Sequence, residues 1–389
     1  MVKKRKNKKK DNKNTNKKDQ RKSNNNNIDK KNKIKYSTTK KNKQSIEEQS
    51  KIKEKDQSFP NQSKYDLKKS PNLKFKTNIK KYKLDEYLYY RLIDVYAVYT
   101  LHKDNIPYLA LPNKNYIEII ELINNKKIKS LKNHVEYVSI VEYYINPKNK
   151  NKEYLISIDY NNVVFIYDIN NSYNILYNFC ETYDHLLVNC LLFFPYNSNE
   201  DYIITPMHDG DEEGSKVYSF TTCKLIKYID VDCDNINCIL PWYNKLDKKD
   251  YIIQIGEEKI FINNVNEDIL YSKLKDNEND FNFNGFIYNK NENDYLYVSK
   301  GMGKIMIWDL AQKQLIKNFV VGKEKINIIK WNNKYAIGVN NGLKIIDIEN
   351  EKIVTVIKNE INYIQKLNHP KYGESLIACD KKNISLWAL

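Results

Sequence analysis

Beyond about residue 80 the chain is written in short apolar runs, four to eight residues of Ile, Leu, Val, Tyr and Phe, separated by clusters of Asn, Asp, Lys and Gly. Half-buried segments punctuated by turn residues predict β-strands joined by tight connections, and so an all-β protein. Only ten glycines and nine prolines are available for those connections. Asn takes over much of the turn work, because its short polar side chain tolerates the left-handed backbone. Upstream the pattern vanishes. Residues 1–70 are Lys, Asn, Gln, Ser and Asp with hardly any aliphatic side chain, as in Asn24-Asn25-Asn26-Asn27. Such a segment cannot bury enough apolar surface to offset chain entropy. It is predicted to be a disordered Lys/Asn-rich tail, with a root-mean-square span of roughly 45 Å for about 70 residues.

The strand pattern repeats. Its most legible unit is Ile305-Met306-Ile307-Trp308-Asp309-Leu310, a polar turn, and then Leu315-Ile316-Lys317-Asn318-Phe319. The same shape recurs at Val164-Phe165-Ile166-Tyr167-Asp168-Ile169 and at Lys344-Ile345-Ile346-Asp347-Ile348, each with its following apolar run. Weaker copies lie around Ile117–Leu122, Lys216–Phe220 and Ile260–Val265, and a last one, Ile384-Ser385-Leu386-Trp387-Ala388-Leu389, ends the chain. The equivalent positions Glu121, Asp168, Ser219, Asn264, Asp309, Asp347 and Ala388 are spaced by 47, 51, 45, 45, 38 and 41 residues. Two further strands precede each unit, for example Tyr137–Tyr144 and Glu153–Asp159. Seven units of four short strands at this period predict a seven-bladed β-propeller of four-stranded antiparallel blades, occupying residues 71–389 behind the disordered basic tail.

Residues from about 80 to 389 resemble the WD-repeat β-propellers, with Trp308-Asp309 as the one literal signature dipeptide. Asn133-His134 and Asp184-His185 stand where that family places a Gly-His pair before the first strand. Asp159 and Asp380 stand at the tight-turn Asp between the second and third strands. The resemblance implies that His134, His185, Asp159, Trp308, Asp309 and Asp380 are structural blade residues, the His and Asp bonding with a strand Ser or Thr and the Trp. Asn235, Asp280, Glu324 and Glu360 fall near the His position of other repeats and cannot serve that relay. Most blades are therefore expected to rest on packing and ladder hydrogen bonds.

The last unit ends after its third strand, so a strand from the start of the folded region is expected to complete it and remove an open edge. The candidates are Leu73–Lys76 and Tyr87–Leu92, with residues 86–93 preferred.

Charge separates the chain in the same place. Residues 1–80 carry a net charge of +20, while residues 81–389 carry −4. Lys3, Lys4, Arg5, Lys6, Lys8, Lys9 and Lys10 form a run dense enough for a nuclear-import signal or a nucleic-acid contact. The same composition is also what an AT-biased gene produces without selection. Only three arginines occur, Arg5, Arg21 and Arg91, so bidentate recognition of phosphate by the folded part is not expected.

Catalytic chemistry finds little footing. The five histidines are dispersed, and no HxxxH, GxSxG or CxxC spacing occurs. The six cysteines form neither a zinc pattern nor a disulfide framework. Gly301-Met302-Gly303-Lys304 reads as a tight turn rather than a phosphate loop. His208-Asp209-Gly210-Asp211-Glu212-Glu213-Gly214 resembles the opening of a calcium loop, but position 12 counted from Asp209 is Phe220, so a solvated hairpin loop is expected. His369, beside Pro370, is expected in a loop.

No run is long and apolar enough for a membrane span or a secretory signal. The expectation is a soluble intracellular protein, cytoplasmic or nuclear, without enzymatic activity, cofactor, metal or small-molecule substrate. It would act as a protein-interaction scaffold through its loops and rim, with inter-blade loops near 132–137, 182–187, 232–236, 277–283 and 322–326 forming one face. The alternative is a ribonucleoprotein or ribosome-assembly subunit whose tail contacts RNA.

Overall fold

The computed structural model describes residues 74–81, 97–101, 105–180, 190–209, 212–233, 235–267, 269–275, 281–322, 327–331, 334–339, 342–347, 350, 352–357, 361, 363–379 and 383–388. Residues 1–70 and 86–93 lie outside them. The described residues form seven four-stranded antiparallel sheets. A strand β1 (Lys74–Lys81) comes first in the chain. The first sheet is then β2 (Ala97–Thr100), β3 (Pro107–Asn113), β4 (Tyr116–Glu121) and β5 (Lys126–Leu131). The second is β6 (Val138–Ile145), β7 (Glu153–Asp159), β8 (Val163–Asp168) and β9 (Asn174–Cys180). The third is β10 (Leu191–Phe193), β11 (Tyr202–Asp209), β12 (Glu212–Ser219) and β13 (Leu225–Asp230). The fourth is β14 (Ile236–Asn244), β15 (Lys249–Gly256), β16 (Ile260–Asn264) and β17 (Ile269–Leu274). The fifth is β18 (Asn282–Lys290), β19 (Asn293–Lys300), β20 (Lys304–Asp309) and β21 (Gln314–Val320). The sixth is β22 (Asn327–Trp331), β23 (Lys334–Val339), β24 (Gly342–Asp347) and β25 (Lys352–Ile357). The last joins β26 (Tyr363–His369), β27 (Gly373–Cys379) and β28 (Asn383–Ala388) to β1, which pairs with β28 as the outer strand. Six sheets are thus runs of consecutive strands, and one recruits a strand from the other end of the folded region.

The sheets pack face to face around a common axis, which is a β-propeller. Each successive pair buries its own apolar cluster. Tyr99, Ile119, Val141 and Tyr167 fill the space between the first and second sheets, and Ile156, Ile166, Cys190 and Leu192 that between the second and third. Leu109, Leu111, Leu367 and Ile377 fill the space between the last sheet and the first. Alternation along each strand sends side chains to the two neighbouring sheets in turn, so both faces of every blade must be apolar.

All seven positions of the sequence period are the final residue of the third strand of their sheets. The reason is local. In the first six sheets the pairing of third and fourth strands slips by one residue just ahead of that position, as between Ile119 and Ile120, Ile166 and Tyr167, or Ile307 and Trp308. The end residue then caps the turn. Asp309 Oδ1 accepts from the Gln312 N–H at 2.8 Å, and Asn264 Oδ1 accepts from Asn266 and Glu267 at 2.9 and 3.1 Å. Asp168, Ser219 and Asp347 accept in the same way from Asn171, Thr222 and Asn350. A left-handed residue closes the turn at Asn125, Cys223 and Lys313, with φ of 51°, 53° and 56°. Short polar oxygens thus do what glycine does elsewhere.

Three expectations need correction. The closing strand is Lys74–Lys81, not residues 86–93. The outermost strand of a blade has no sheet beyond it and tolerates lysine, which also discourages edge pairing. The segment His208–Gly214 is largely strand, with His208 opposite Glu213 and Asp209 opposite Glu212. His369 is not in a loop: it is the buried last residue of β26. Gly301–Gly303 is a single 3-10 turn, with Gly303 at φ 64°. Among the described residues no helix is long and apolar enough to cross a membrane.

Candidate binding site

The second sheet contains a complete buried relay. Asp159 ends β7, where its Oδ1 accepts the backbone N–H groups of Asn161 and Val163 at 2.9 and 3.0 Å and so fixes the tight turn into β8. Its Oδ2 lies 2.9 Å from His134 Nδ1, and His134 Nε2 lies 2.6 Å from Ser157 Oγ. A carboxylate can only accept, so Nδ1 carries the proton and Ser157 donates to Nε2. The Phe165 ring meets the imidazole edge-on at 4.6 Å. Beside this relay, burial pushes the Tyr167 phenol up to about 12, with the Ser157 hydroxyl pulling the other way. His134, Asp159 and Ser157 are spent on one another, so the arrangement pins a blade and offers no free base, while the buried Tyr167 hydroxyl has no hydrogen-bond partner among the described residues.

Of the residues singled out in the sequence, the structure brings together His134 and Asp159, with Ser157 as the partner that spacing alone did not disclose. His185 and Asp380 lie outside the described residues, as do Lys3, Lys4, Arg5, Lys6, Lys8, Lys9 and Lys10. Trp308 is buried in the fifth sheet, yet its indole N–H has no hydrogen-bond partner. Register explains this. Ser157 pairs with the residue three before the end of β8, and the matching position opposite Met306 in the fifth sheet is Val298. In the other sheets that position is Leu111, Thr205, Gln254, Ile337 and Ala378. Asp309 is used as a turn cap.

The first strands of the sheets surround an axial channel, and within it lies a cavity of about 640 Å³. It is lined from β6, β10 and β14, with Gln365 of β26 also contributing. Most of the lining is aromatic or aliphatic, including Tyr143, Tyr144, Phe193 and Trp242. Two carboxyl groups line it, Glu142 and Asp250. Asp250 is fully engaged: its two oxygens accept the Tyr196 and Asn197 backbone N–H groups, both at 2.9 Å. Glu142 is different. Among the described residues its one hydrogen-bond partner is the Tyr144 hydroxyl at 2.6 Å, and burial pushes its carboxyl up to about 7 against the opposing pull of that bond. Cys238, whose thiol burial pushes up to about 12, feels the same carboxylate. Sequence reading passed over Glu142, since a lone Glu inside Val141–Tyr144 carries no spacing signal.

On the connections from first to second strands of the third and fourth sheets, large apolar side chains face solvent, and Tyr196 among them also lines the cavity. Tyr196 is 60 % exposed and Leu246 is 79 % exposed. Tyr196 packs its ring against Tyr243 at 4.9 Å while the buried Asp250 grips its backbone. The antiparallel topology puts these connections at the end opposite the inter-sheet loop 132–137, where Val135 is also exposed. Of the other loops predicted for that face, 182–187 lies outside the described residues and 232–236, 277–283 and 322–326 lie partly outside. Among the described residues no three His, Cys, Asp or Glu side chains gather as a metal site. No protein-family model matches the chain, and no curated protein matches it.

Proposed function

We propose that the chain is a seven-bladed propeller of the WD-repeat kind that works without catalysis, as a rigid platform for one or more protein partners. The observation that carries this reading is the exposed Tyr196 held in place by Asp250. An aromatic side chain that is solvent-exposed but conformationally fixed loses little entropy on binding, which is how interface anchors gain their strength. Leu246, on the corresponding connection of the neighbouring sheet, is a second exposed apolar side chain at that end. The seven sheets, the five turn caps and the His134-Asp159-Ser157 relay, intact among the described residues, support the family reading. The engaged state of the polar groups around His134 supports a non-enzymatic role.

The test is affinity purification of the full chain followed by mass spectrometry, beside a Tyr196→Ala, Leu246→Asp variant checked for native circular dichroism. Loss of co-purifying proteins from a folded variant is the expected result; an unchanged set would overturn this surface as the platform.

A second reading rests on the charge of residues 1–80. Here the tail binds RNA in a ribonucleoprotein assembly while the propeller docks on protein. If about five lysines contact a single strand, log K against log salt should fall with a slope near −3.5, from roughly 0.7 per contact. Removing residues 1–70 should abolish filter binding, and retained, salt-insensitive binding would refute it.

A further inference from the structure

The Glu142 corner of the axial cavity has a deficit of protons. The Tyr144 hydroxyl lies 2.6 Å from Glu142 Oε2 and 2.7 Å from the Cys190 carbonyl oxygen. A phenol has one proton, and both neighbours are acceptors when Glu142 is ionised. Both contacts are satisfied when Glu142 is protonated and donates to Tyr144, which donates to Cys190. When Glu142 is ionised the phenol proton serves only one of the two acceptors, and the carboxylate lines the cavity with no described cation beside it. Among the described residues no cation pairs with Glu142. The groups around it are Tyr144 on its own strand, Cys190 just before β10 and Cys238 on β14. Gln365 on β26 is neutral. Lys330 on β22 is engaged elsewhere, with its Nζ 4.5 Å from the Tyr288 ring centre, and Lys366 on β26 is exposed.

We propose that the cavity binds an alkylammonium group, with its N–H donors on the Glu142 carboxylate and its carbon chain along the lining made by Leu240, Pro241 and Tyr243. The elements fit that chemistry together. A primary ammonium supplies three donors and a positive charge where the protein supplies neither. The mostly apolar lining favours an aliphatic stem. Asp250 does not compete, because both its oxygens are occupied. The space of about 640 Å³ is ample for a butyl chain. A free amine and a partner's lysine side chain present the same group, and the site stands whether or not the outer rim binds protein.

Binding needs the ionised carboxylate, so it is linked to proton release. With a carboxyl that titrates near 7, apparent affinity at pH 6 should be about tenfold weaker than at pH 8. The experiment is saturation-transfer NMR on the full chain with two probes, n-butylammonium chloride and a short acetylated peptide amide carrying one lysine. A norleucine version of the peptide serves as control. Saturable signal at pH 8 that falls about tenfold in affinity at pH 6 is expected from at least one probe. Signal from the peptide alone assigns the site to a partner's lysine, and signal from butylammonium assigns it to free amines as well. Glu142→Gln keeps the shape and should remove binding; Tyr144→Phe should keep it and shift its pH dependence upward, since the Tyr144 bond that favours the ionised carboxylate is lost. Both variants are checked by circular dichroism. No saturable binding of either probe at pH 8, equal binding to the norleucine peptide, or undiminished binding by folded Glu142→Gln would overturn the assignment.

Discussion

Replacing Asp159 by alanine should destabilise the propeller far more than any change at Trp308 of comparable chemistry. The carboxylate accepts three N–H groups, from His134, Asn161 and Val163, all between 2.9 and 3.0 Å. Alanine leaves the His134 Nδ1–H buried without a partner, at a cost of about 1–3 kcal/mol. The two turn amides add less, about 0.5–1 kcal/mol each, because water reaches the turn. Together about 3–4 kcal/mol should be lost. Ser157→Ala removes a single donor and should cost about 1–2 kcal/mol. Trp308→Phe is the contrast: the indole N–H is already without a partner, so its loss relieves one unsatisfied donor while some packing is lost. That change should cost about 1 kcal/mol. Equilibrium urea unfolding followed by circular dichroism gives all three, with the slope checked for constancy. An Asp159→Ala loss under 1 kcal/mol, or a Trp308→Phe loss as large, would refute the claim that one relay pins the second sheet while the fifth relies on packing.

His369 sits at the seam between the last and first sheets, where its Nδ1 accepts the Lys371 N–H at 3.1 Å and its ring bonds the Leu122 backbone; His369→Ala should cost about 2 kcal/mol by thermal unfolding, and no change would place it outside the seam. Burial raises the Glu142 carboxyl from its ordinary 4.5 to about 7, so the folded state holds a proton that the unfolded chain releases. The stability it contributes is complete below about pH 4.5 and is lost as pH rises through 7. About 3 kcal/mol at most should disappear over that window, and Glu142→Gln should flatten the profile measured by urea titration at each pH. Gly214 stands at φ 154°, and a Cβ there would lie 2.0 Å from the Ile229 carbonyl oxygen; Gly214→Ala should lower the melting temperature by more than any exposed turn substitution. Deleting residues 1–70 should leave a monodisperse protein, whereas deletion through Lys81 bares β28 and should produce aggregates in size-exclusion chromatography.

The repeat was legible because its marker residue has one job in five of the seven sheets, Glu121 and Ala388 being the exceptions. A side-chain oxygen at the end of the third strand closes the turn, and Asp, Asn and Ser do this interchangeably. The period therefore survived where the neighbouring signature residues did not. Trp308 and Tyr167 occupy the same register, but only Tyr167 stands over a serine. The closing strand was harder to place for the opposite reason. An outer strand is selected by its backbone pairing and by having no apolar face to bury, so Lys74–Lys81 carries almost none of the pattern by which strands are recognised.

The candidate site was not legible at all, and the cause is geometric. Glu142, Tyr144 and Cys190 meet because the first strands of adjacent sheets run side by side along the axis, about one repeat apart in sequence. A single Glu in a run of Val, Tyr and Ile looks like an exposed position on a half-buried strand. Alternation puts it on the same face as Tyr144, toward the third sheet, while Tyr143 turns the other way to stack on Tyr99 at 5.0 Å. The sheet face that should be apolar thus contains one acid at its inner edge, where the channel keeps it within reach of solvent yet desolvates it. A propeller core would be more stable with an aliphatic residue there. Retaining a carboxyl at that point costs folding energy at neutral pH, and the cost is offset when a cation occupies the cavity. Ligand-dependent stabilisation should accordingly be larger at pH 8 than at pH 6, because at pH 8 the carboxylate is both most destabilising and most available.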